Sequence, residues 1–349
     1  MKLKKILLYT VILSLIFLAL PLYLTSCDKI NNTGSATEVR IAYFPNITHI
    51  QALVGISKGT FEETFGSNIK VSYKNFNAGP AEIESFFAGE LDIGYIGPIP
   101  AINGFSKSDG DIKIIAGASN AGAVLVARTG SNIKSVSELS AKKIAVPQFG
   151  NTQHLVLLKV LTENNLKPSS SGGTVDVIQA ENPDIKTLMD KGDIDAAFVP
   201  EPWGTRLINE IGAEIVLDYD KILLDGESPS TAVVIVSSEF MKKNPDLVEK
   251  FLQAHVELTQ YIIENQDAAA TVANEQIEKI TGSKLKEEDL ISAFKKLIIT
   301  YDPSVKSIRS FIDIYISEGY VDEVKNRDNI CDFSILNKIL KDKNLDEVK

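Results

Sequence analysis

The 349-residue chain is short of the residues that most catalytic and metal sites need: it has three histidines, two cysteines and one tryptophan. Two cysteines build neither a disulfide framework nor a structural zinc site. The G-x-S-x-G, H-E-x-x-H, G-x-x-x-x-G-K-[ST] and G-x-G-x-x-G patterns of hydrolases, zinc proteases and nucleotide sites are all missing. Basic residues are also scarce, with 36 Lys and Arg against 46 Asp and Glu and a net charge of −10. An acidic surface of that kind argues against nucleic acid as a partner, because phosphate backbones are bound by basic stripes. These absences favour a binding protein without cofactor, metal or catalytic residue. What is present is an ordinary globular composition, 44% hydrophobic, with length for about two domains.

The first residues stand apart. Lys2, Lys4 and Lys5 precede an uncharged apolar run over 6–26 that closes on Leu24-Thr25-Ser26-Cys27. A cationic start, an apolar run and small residues before a cut site form an export signal. The run is longer than a typical signal core of about 7–15 residues, so an uncleaved membrane anchor is a rival reading. Leu24-Thr25-Ser26-Cys27 resembles a bacterial lipobox, which implies cleavage after residue 26 and a diacylglycerol on the Cys27 sulfur. Either anchor puts the body at the outer face of the cytoplasmic membrane, on the periplasmic side where an outer membrane exists. Residues 27–37 then read as a flexible polar tether. With Cys27 lipidated, Cys331 has no disulfide partner and reads as a bystander.

From residue 38 short apolar strands alternate with helical patterns, the mark of an α/β protein with mostly parallel sheets. A repeat runs through the chain at an ungapped offset of 103 residues. Arg40-Ile41-Ala42 aligns with Lys143-Ile144-Ala145, strand 71–76 with 174–179, and Pro80 with Pro183. Gly89-Glu90-Leu91-Asp92-Ile93-Gly94-Tyr95-Ile96 aligns with Gly192-Asp193-Ile194-Asp195-Ala196-Ala197-Phe198-Val199. Two similar lobes follow, each a mostly parallel sheet flanked by helices. Lobe 1 is discontinuous, 38–125 plus 230–349, because strand 231–238 returns to it, and lobe 2 is 126–229. After residue 238 the pattern predicts helices alone. His255 sits on the apolar face of one of them, with Phe251, Leu258 and Ile262, and reads as a core histidine.

Parallel sheets bind ligands beyond the carboxyl ends of their strands, at helix N-termini. Those ends gather neutral donors, Asn46 and Thr48, Asn77, Asn120, Gln148, Asn151, Thr152 and Gln153, with Gly97 and Pro98 at the end of a first-lobe strand. The loops 43–50, 76–81, 95–101 and 147–155 contain no Lys or Arg. Helix amides aided by Asn and Thr can hold an anion without a counter-charge, although each Asn or Thr singly is a natural helix cap. Two roles are open to His154, a ligand contact or a bond to a neighbouring loop. Glu201 could cap its helix or face a ligand ammonium. Trp203 could wall the ligand or pack between lobes.

At these loops the sequence resembles the nitrate/sulfonate/taurine group of ABC-transporter substrate-binding lipoproteins. The resemblance rests on Phe76-Asn77-Ala78-Gly79-Pro80, on 89–101, on Gly150-Asn151-Thr152-Gln153-His154 and on 195–203, and spans about residues 38–320. It implies a type 2 periplasmic-binding-protein fold whose interlobe cleft closes on cargo and delivers it to a permease driven by a separate ATPase. By position, Gly97, Asn151, Thr152 and His154 would hold the anionic head, and Phe44 and Trp203 would flank the tail. The loop Gly-Asn-Thr-Gln-His departs from the serines frequent in sulfonate binders. The expected protein is therefore a monomeric receptor for a small organic anion, an aliphatic sulfonate or taurine first. Nitrate or bicarbonate, a thiamine-pyrimidine precursor, or an enzyme on the same fold are the alternatives.

Overall fold

The computed structural model describes Ala36–Lys349. The signal span 1–26, Cys27 and the tether up to residue 35 lie outside the described residues. The described chain starts one sheet with β1 (Glu38–Tyr43), β2 (Lys70–Asn75), β3 (Ile93–Ile96) and β4 (Ile112–Ala121). It passes into a second sheet with β5 (Ala123–Ala127), β6 (Lys143–Val146), β7 (Asp176–Gln179), β8 (Ala196–Pro200) and β9 (Glu214–Leu217). It then returns to the first with β10 (Ser230–Ser237) and β11 (Leu297–Ile299). The strand orders are β11-β4-β10-β3-β1-β2 and β7-β6-β8-β5-β9. Helices flank both sheets, which is the two-lobed α/β architecture expected from the strand–helix alternation.

In each sheet the units β1, β2, β3 and β6, β7, β8 pair in parallel. The strands that enter straight after a crossing, β5 and β10, run antiparallel to both neighbours. The first crossing is a single residue, Gly122. Its φ is +74°, and a Cβ there would lie 2.1 Å from Leu297 Cδ2, so conformation and space both call for glycine.

Three apolar clusters hold the molecule together. One packs the first sheet against the C-terminal helices through Leu53, Phe61, Tyr95 and Phe251. A second runs through both lobes, joining Ile96, Ile99 and Phe105 to Val146, Leu155 and Phe198. The third fills the outer side of the second sheet with Val124, Val126, Met189 and Leu207. His255 lies in the first cluster as its spacing predicts, buried, with Tyr95 Oη at 2.9 Å and the Gly117 carbonyl at 2.8 Å. Burial lowers its pKa to about 4. Cys331 is packed beside the second cluster, and burial pushes its thiol up to about 12.

The region after residue 238 is not helical throughout. β11 pairs antiparallel with β4, Leu297 opposite Ala121 and Ile299 opposite Ser119. Three residues are too few for a two-residue period to declare itself beside a helical pattern. Two further helices, Ser238–Lys243 and Ser334–Asp342, were not among those the sequence pattern announces.

Candidate functional site

The carboxyl ends of β1, β2 and β3 meet those of β6, β7 and β8 across one cleft between the lobes. From the first lobe come Phe44, Asn46, Thr48, His49, Asn77, Ala78, Gly79, Gly97 and Pro100, with Thr231 of β10. From the second come Pro147, Asn151, Thr152, Gln153, Asn182 and Pro200. The cleft contains no Asp, Glu, Lys or Arg. Its one titratable group, His49, is buried, stacks on Phe44 with ring centroids 4.3 Å apart, and accepts the Phe44 N–H at Nδ1, 3.2 Å. Burial drives its pKa down to about 3, so it is neutral at physiological pH. The free space between the walls is about 30 Å³, the room of roughly one or two waters.

The donors are of two kinds. Asn46 and Asn151 serve the backbone first. Asn46 Oδ1 accepts from Thr48 N and Thr48 Oγ1, both at 3.0 Å, and Asn151 Oδ1 accepts from His154 N at 2.8 Å, capping the helix Thr152–Glu163. Thr152 Oγ1 and Asn182 Oδ1 are different: both are buried with no hydrogen-bond partner. Such atoms carry an unmet desolvation cost of about 1–3 kcal/mol each; the Thr152 hydroxyl can donate to an anion, whereas Asn182 Oδ1 only accepts and calls for a ligand donor. Three helices that start at the cleft, Gly79–Phe87, Pro98–Lys107 and Asn182–Lys191, have no side-chain cap. Their first turns therefore add the positive end of the helix dipole and the N–H groups that Pro80, Pro98, Pro100 and Pro183 leave.

Gly97 marks a close approach of the two lobes. Its φ of −69° and ψ of 150° suit any residue. A Cβ, however, would stand 2.5 Å from Thr152 Oγ1 of the opposite lobe. Glycine is needed there for the approach, not for the backbone shape.

The structure thus brings Phe44, Asn46, Thr48, Asn77, Gly97, Asn151 and Thr152 together, and places six other candidates elsewhere. Pro98 opens its helix as a buried residue beside the cleft wall. Asn120 Nδ2 donates to the Asp302 carbonyl at 3.3 Å. Gln148 is half-buried, and its carbonyl accepts from Asn151 N at 3.3 Å. His154 turns to its own loop and to the C-terminal helices: Nδ1 accepts from Gly150 N at 3.1 Å and meets Tyr320 Oη at 3.0 Å. Burial lowers its pKa to about 4. Of its two open roles, the structure shows the loop bond.

Glu201 is fully buried, and the ammonium it faces belongs to the protein. Its Oε1 lies 2.7 Å from Lys296 Nζ of the first lobe, and its Oε2 accepts from Thr205 N at 3.0 Å. Lys296 also donates to Thr205 Oγ1 at 3.0 Å. Burial raises the Glu201 pKa, with Lys296 opposing the rise. One turn further along the same helix face, Asn209 Nδ2 donates to Asp289 at 2.5 Å. Residues 201, 205 and 209 thus form a polar seam between the lobes. Trp203 lies in a separate interlobe groove, under the Arg206 guanidinium at 4.6 Å.

Thr231 escapes a reading of the sequence alone, and Asn182 lies in the strand-end loop 180–182 that the strand-end rule sends to the cleft without singling the residue out. Asn182 stands at the repeat position of Gly79, where the first lobe shows no polar side chain, and Thr231 lies inside an apolar strand.

Known proteins of similar sequence include the taurine-binding periplasmic protein of Escherichia coli (strain K12), 28% identical over 236 residues, 67% of this chain and 69% of that protein. A putative aliphatic sulfonates-binding protein of Bacillus subtilis (strain 168) is 26% identical over 311 residues, 87% of this chain and 89% of that protein. Among solved structures, the periplasmic nitrate-binding protein NrtA from Synechocystis PCC 6803 superposes with a TM-score of 0.71 at 14% identity, covering 88% of this chain and 89% of that one. The alkanesulfonate-binding protein SsuA from Xanthomonas axonopodis pv. citri, bound to MOPS, gives a TM-score of 0.69 at 16% identity, covering 84% and 96%. The two lobes and the cleft between them are therefore those of periplasmic binding proteins. Residues 32–276, well over half of the chain, match the NMT1-like family, and the chain belongs to that family.

Proposed function

We propose that this chain is the extracytoplasmic receptor of an ABC importer and that its cleft captures a small organic anion, an aliphatic sulfonate first and taurine second. The observation that carries the reading is the neutral cleft in which the buried Thr152 hydroxyl lacks a partner beside uncapped helix starts. Neutral donors and helix dipoles suit a weakly basic, fully ionised anion such as a sulfonate. The similar taurine- and sulfonate-binding proteins support it, and they are binding proteins rather than enzymes. Taurine comes second because no carboxylate lines the cleft to meet its amine; Glu201 is held by Lys296.

In this reading the chain acts as a monomer, takes no nucleic acid, and hands its cargo to a permease served by a separate ATPase. A lipid on Cys27 holds it to the outer face of the membrane. The hinge falls at the two crossings, near Gly122 and before Ser230. The tight free space favours a second reading in which the cargo is nitrate or bicarbonate.

Calorimetric titration of the purified protein tests these readings with ethanesulfonate, taurine, nitrate, bicarbonate and a thiamine-type pyrimidine. Micromolar binding of ethanesulfonate, at least as tight as that of taurine, is expected. Binding of nitrate alone would move the assignment to the second reading. Binding of the pyrimidine alone would overturn both.

A further inference from the structure

A second interlobe groove lies outside the cleft and differs from it in every respect that selects a ligand. Its volume is about 450 Å³, within the roughly 300–1,000 Å³ typical of small-molecule sites. The two spaces adjoin, since Pro45 sits between Phe44 and Asn46, and Pro183 follows Asn182. The cleft has neutral walls, whereas the groove carries Lys186, Lys191 and Arg206 against one carboxylate of its own, Asp190.

Glu210 is shared by two of these cations: it pairs with Lys186, and its Oε1 lies 2.8 Å from Arg206 Nε. Lys191 is exposed and makes no ion pair among the described residues. Counting Asp190 and Glu210 against the three cations leaves a local positive excess in a chain whose net charge is −10. Facing the cations are the indole of Trp203 and, from the first lobe, Ile277 and Leu285. The Arg206 guanidinium lies over the indole, so flat apolar surface and positive charge occur at one spot.

We propose that this groove is a second binding site, for an aromatic organic anion, occupied independently of the cleft. A flat ring matches the indole and the apolar first-lobe wall. The anionic group matches Lys191 and Arg206, and a net-neutral or cationic ring lacks that attraction. Small aliphatic anions gain nothing from the indole and stay in the cleft.

Trp203 is the only tryptophan, so its fluorescence reports on the groove directly. The full chain in a non-ionic detergent, with a detergent blank, is titrated with naphthalene-2-sulfonate, with and without saturating ethanesulfonate. Saturable quenching with the same midpoint in both titrations is expected. Lys191→Glu should weaken the response by about fivefold or more through charge reversal, and Ser283→Phe should abolish it by filling the groove. Calorimetric ethanesulfonate binding should be unchanged in both variants. Absence of saturable quenching, displacement by ethanesulfonate, or indifference to both substitutions would overturn the second site. The ethanesulfonate titration by itself reads the cleft, so failure of one assignment is distinguishable from failure of the other.

Discussion

The two lobes are built on one repeated plan, yet they present different chemistry to the cleft. The scaffold contacts recur at the 103-residue offset: Arg40 N donates to Asp92 Oδ2 at 2.9 Å, and Lys143 N donates to Asp195 Oδ2 at 3.0 Å. The strand ends diverge. Gly79 of the first lobe stands where the second has Asn182, Asn77 where it has Ala180, and Phe44 where it has Pro147. At Gly97 the first lobe removes a side chain and lets its backbone come close to Thr152, while Gly79 makes room for Pro100 of its own lobe. The second lobe supplies the buried Thr152 hydroxyl, a donor that no protein group satisfies, and Asn182 Oδ1, an acceptor equally unsatisfied. A shared framework with unlike strand ends gives one anion two complementary half-sites, helix amides on one side and the Thr152 hydroxyl on the other.

Several substitutions break or sharpen that contrast. The largest effect is expected at the seam that joins the lobes. Lys296→Met leaves Glu201 buried without its cation and should cost about 3 kcal/mol of stability at neutral pH by chemical denaturation. Burial raises the Glu201 pKa, and a carboxyl so raised is stabilising below its unfolded value and loses that contribution as pH rises. The penalty should therefore shrink on acidification.

Next come the matched aspartates. Asp92 also binds Arg40 through Nε at 2.9 Å and Nη2 at 2.6 Å, while Asp195 has Arg128 only at 3.6 Å. Asp92→Ala should cost about 2 kcal/mol and Asp195→Ala about half of that, in parallel melts. Equal losses would mean that the side-chain pair adds nothing to the shared backbone contact.

Thr152→Val separates binding from folding. Removing an unpartnered buried hydroxyl should leave stability unchanged or raised, and should weaken ethanesulfonate binding about tenfold. The last test concerns pH, and its summed effect on stability near pH 4 exceeds that of any single substitution above. His49, His154 and His255 are lowered to about 3, 4 and 4 by burial. The unfolded chain takes protons that the folded chain refuses, so stability is full above about pH 6.5 and falls towards pH 4. Each histidine steepens the slope by about 1.4 kcal/mol per pH unit. Cleft affinity should stay flat from about pH 6 to pH 9, because no group lining it titrates there.

The plan of the molecule was legible because periodicity and a repeat are local signals. Strand–helix alternation announced two α/β lobes, and the offset that matches Arg40 with Lys143 and Asp92 with Asp195 showed their likeness. The strand-end rule then brought Gly97, Asn151 and Thr152 to one cleft. What stayed hidden is non-local. Glu201 meets Lys296 across 95 residues of chain, and His154 meets Tyr320 across 166. Which lone Glu or His is already satisfied depends on such partners, and spacing cannot supply them. Trp203 opens a helix at a strand end as predicted, but the face it occupies belongs to the groove, not the cleft.

The central claim is that an anion is held where Gly97 lets the lobes meet at Thr152. Gly97→Val tests it most directly, through ethanesulfonate calorimetry beside the wild-type protein, with melting curves of both. The expected variant stays folded, since its backbone angles admit valine, melts somewhat lower because the interlobe contacts are strained, and loses ethanesulfonate binding by about a hundredfold or more, because the side chain holds the lobes apart. Wild-type affinity in a well-folded Gly97→Val protein would contradict it.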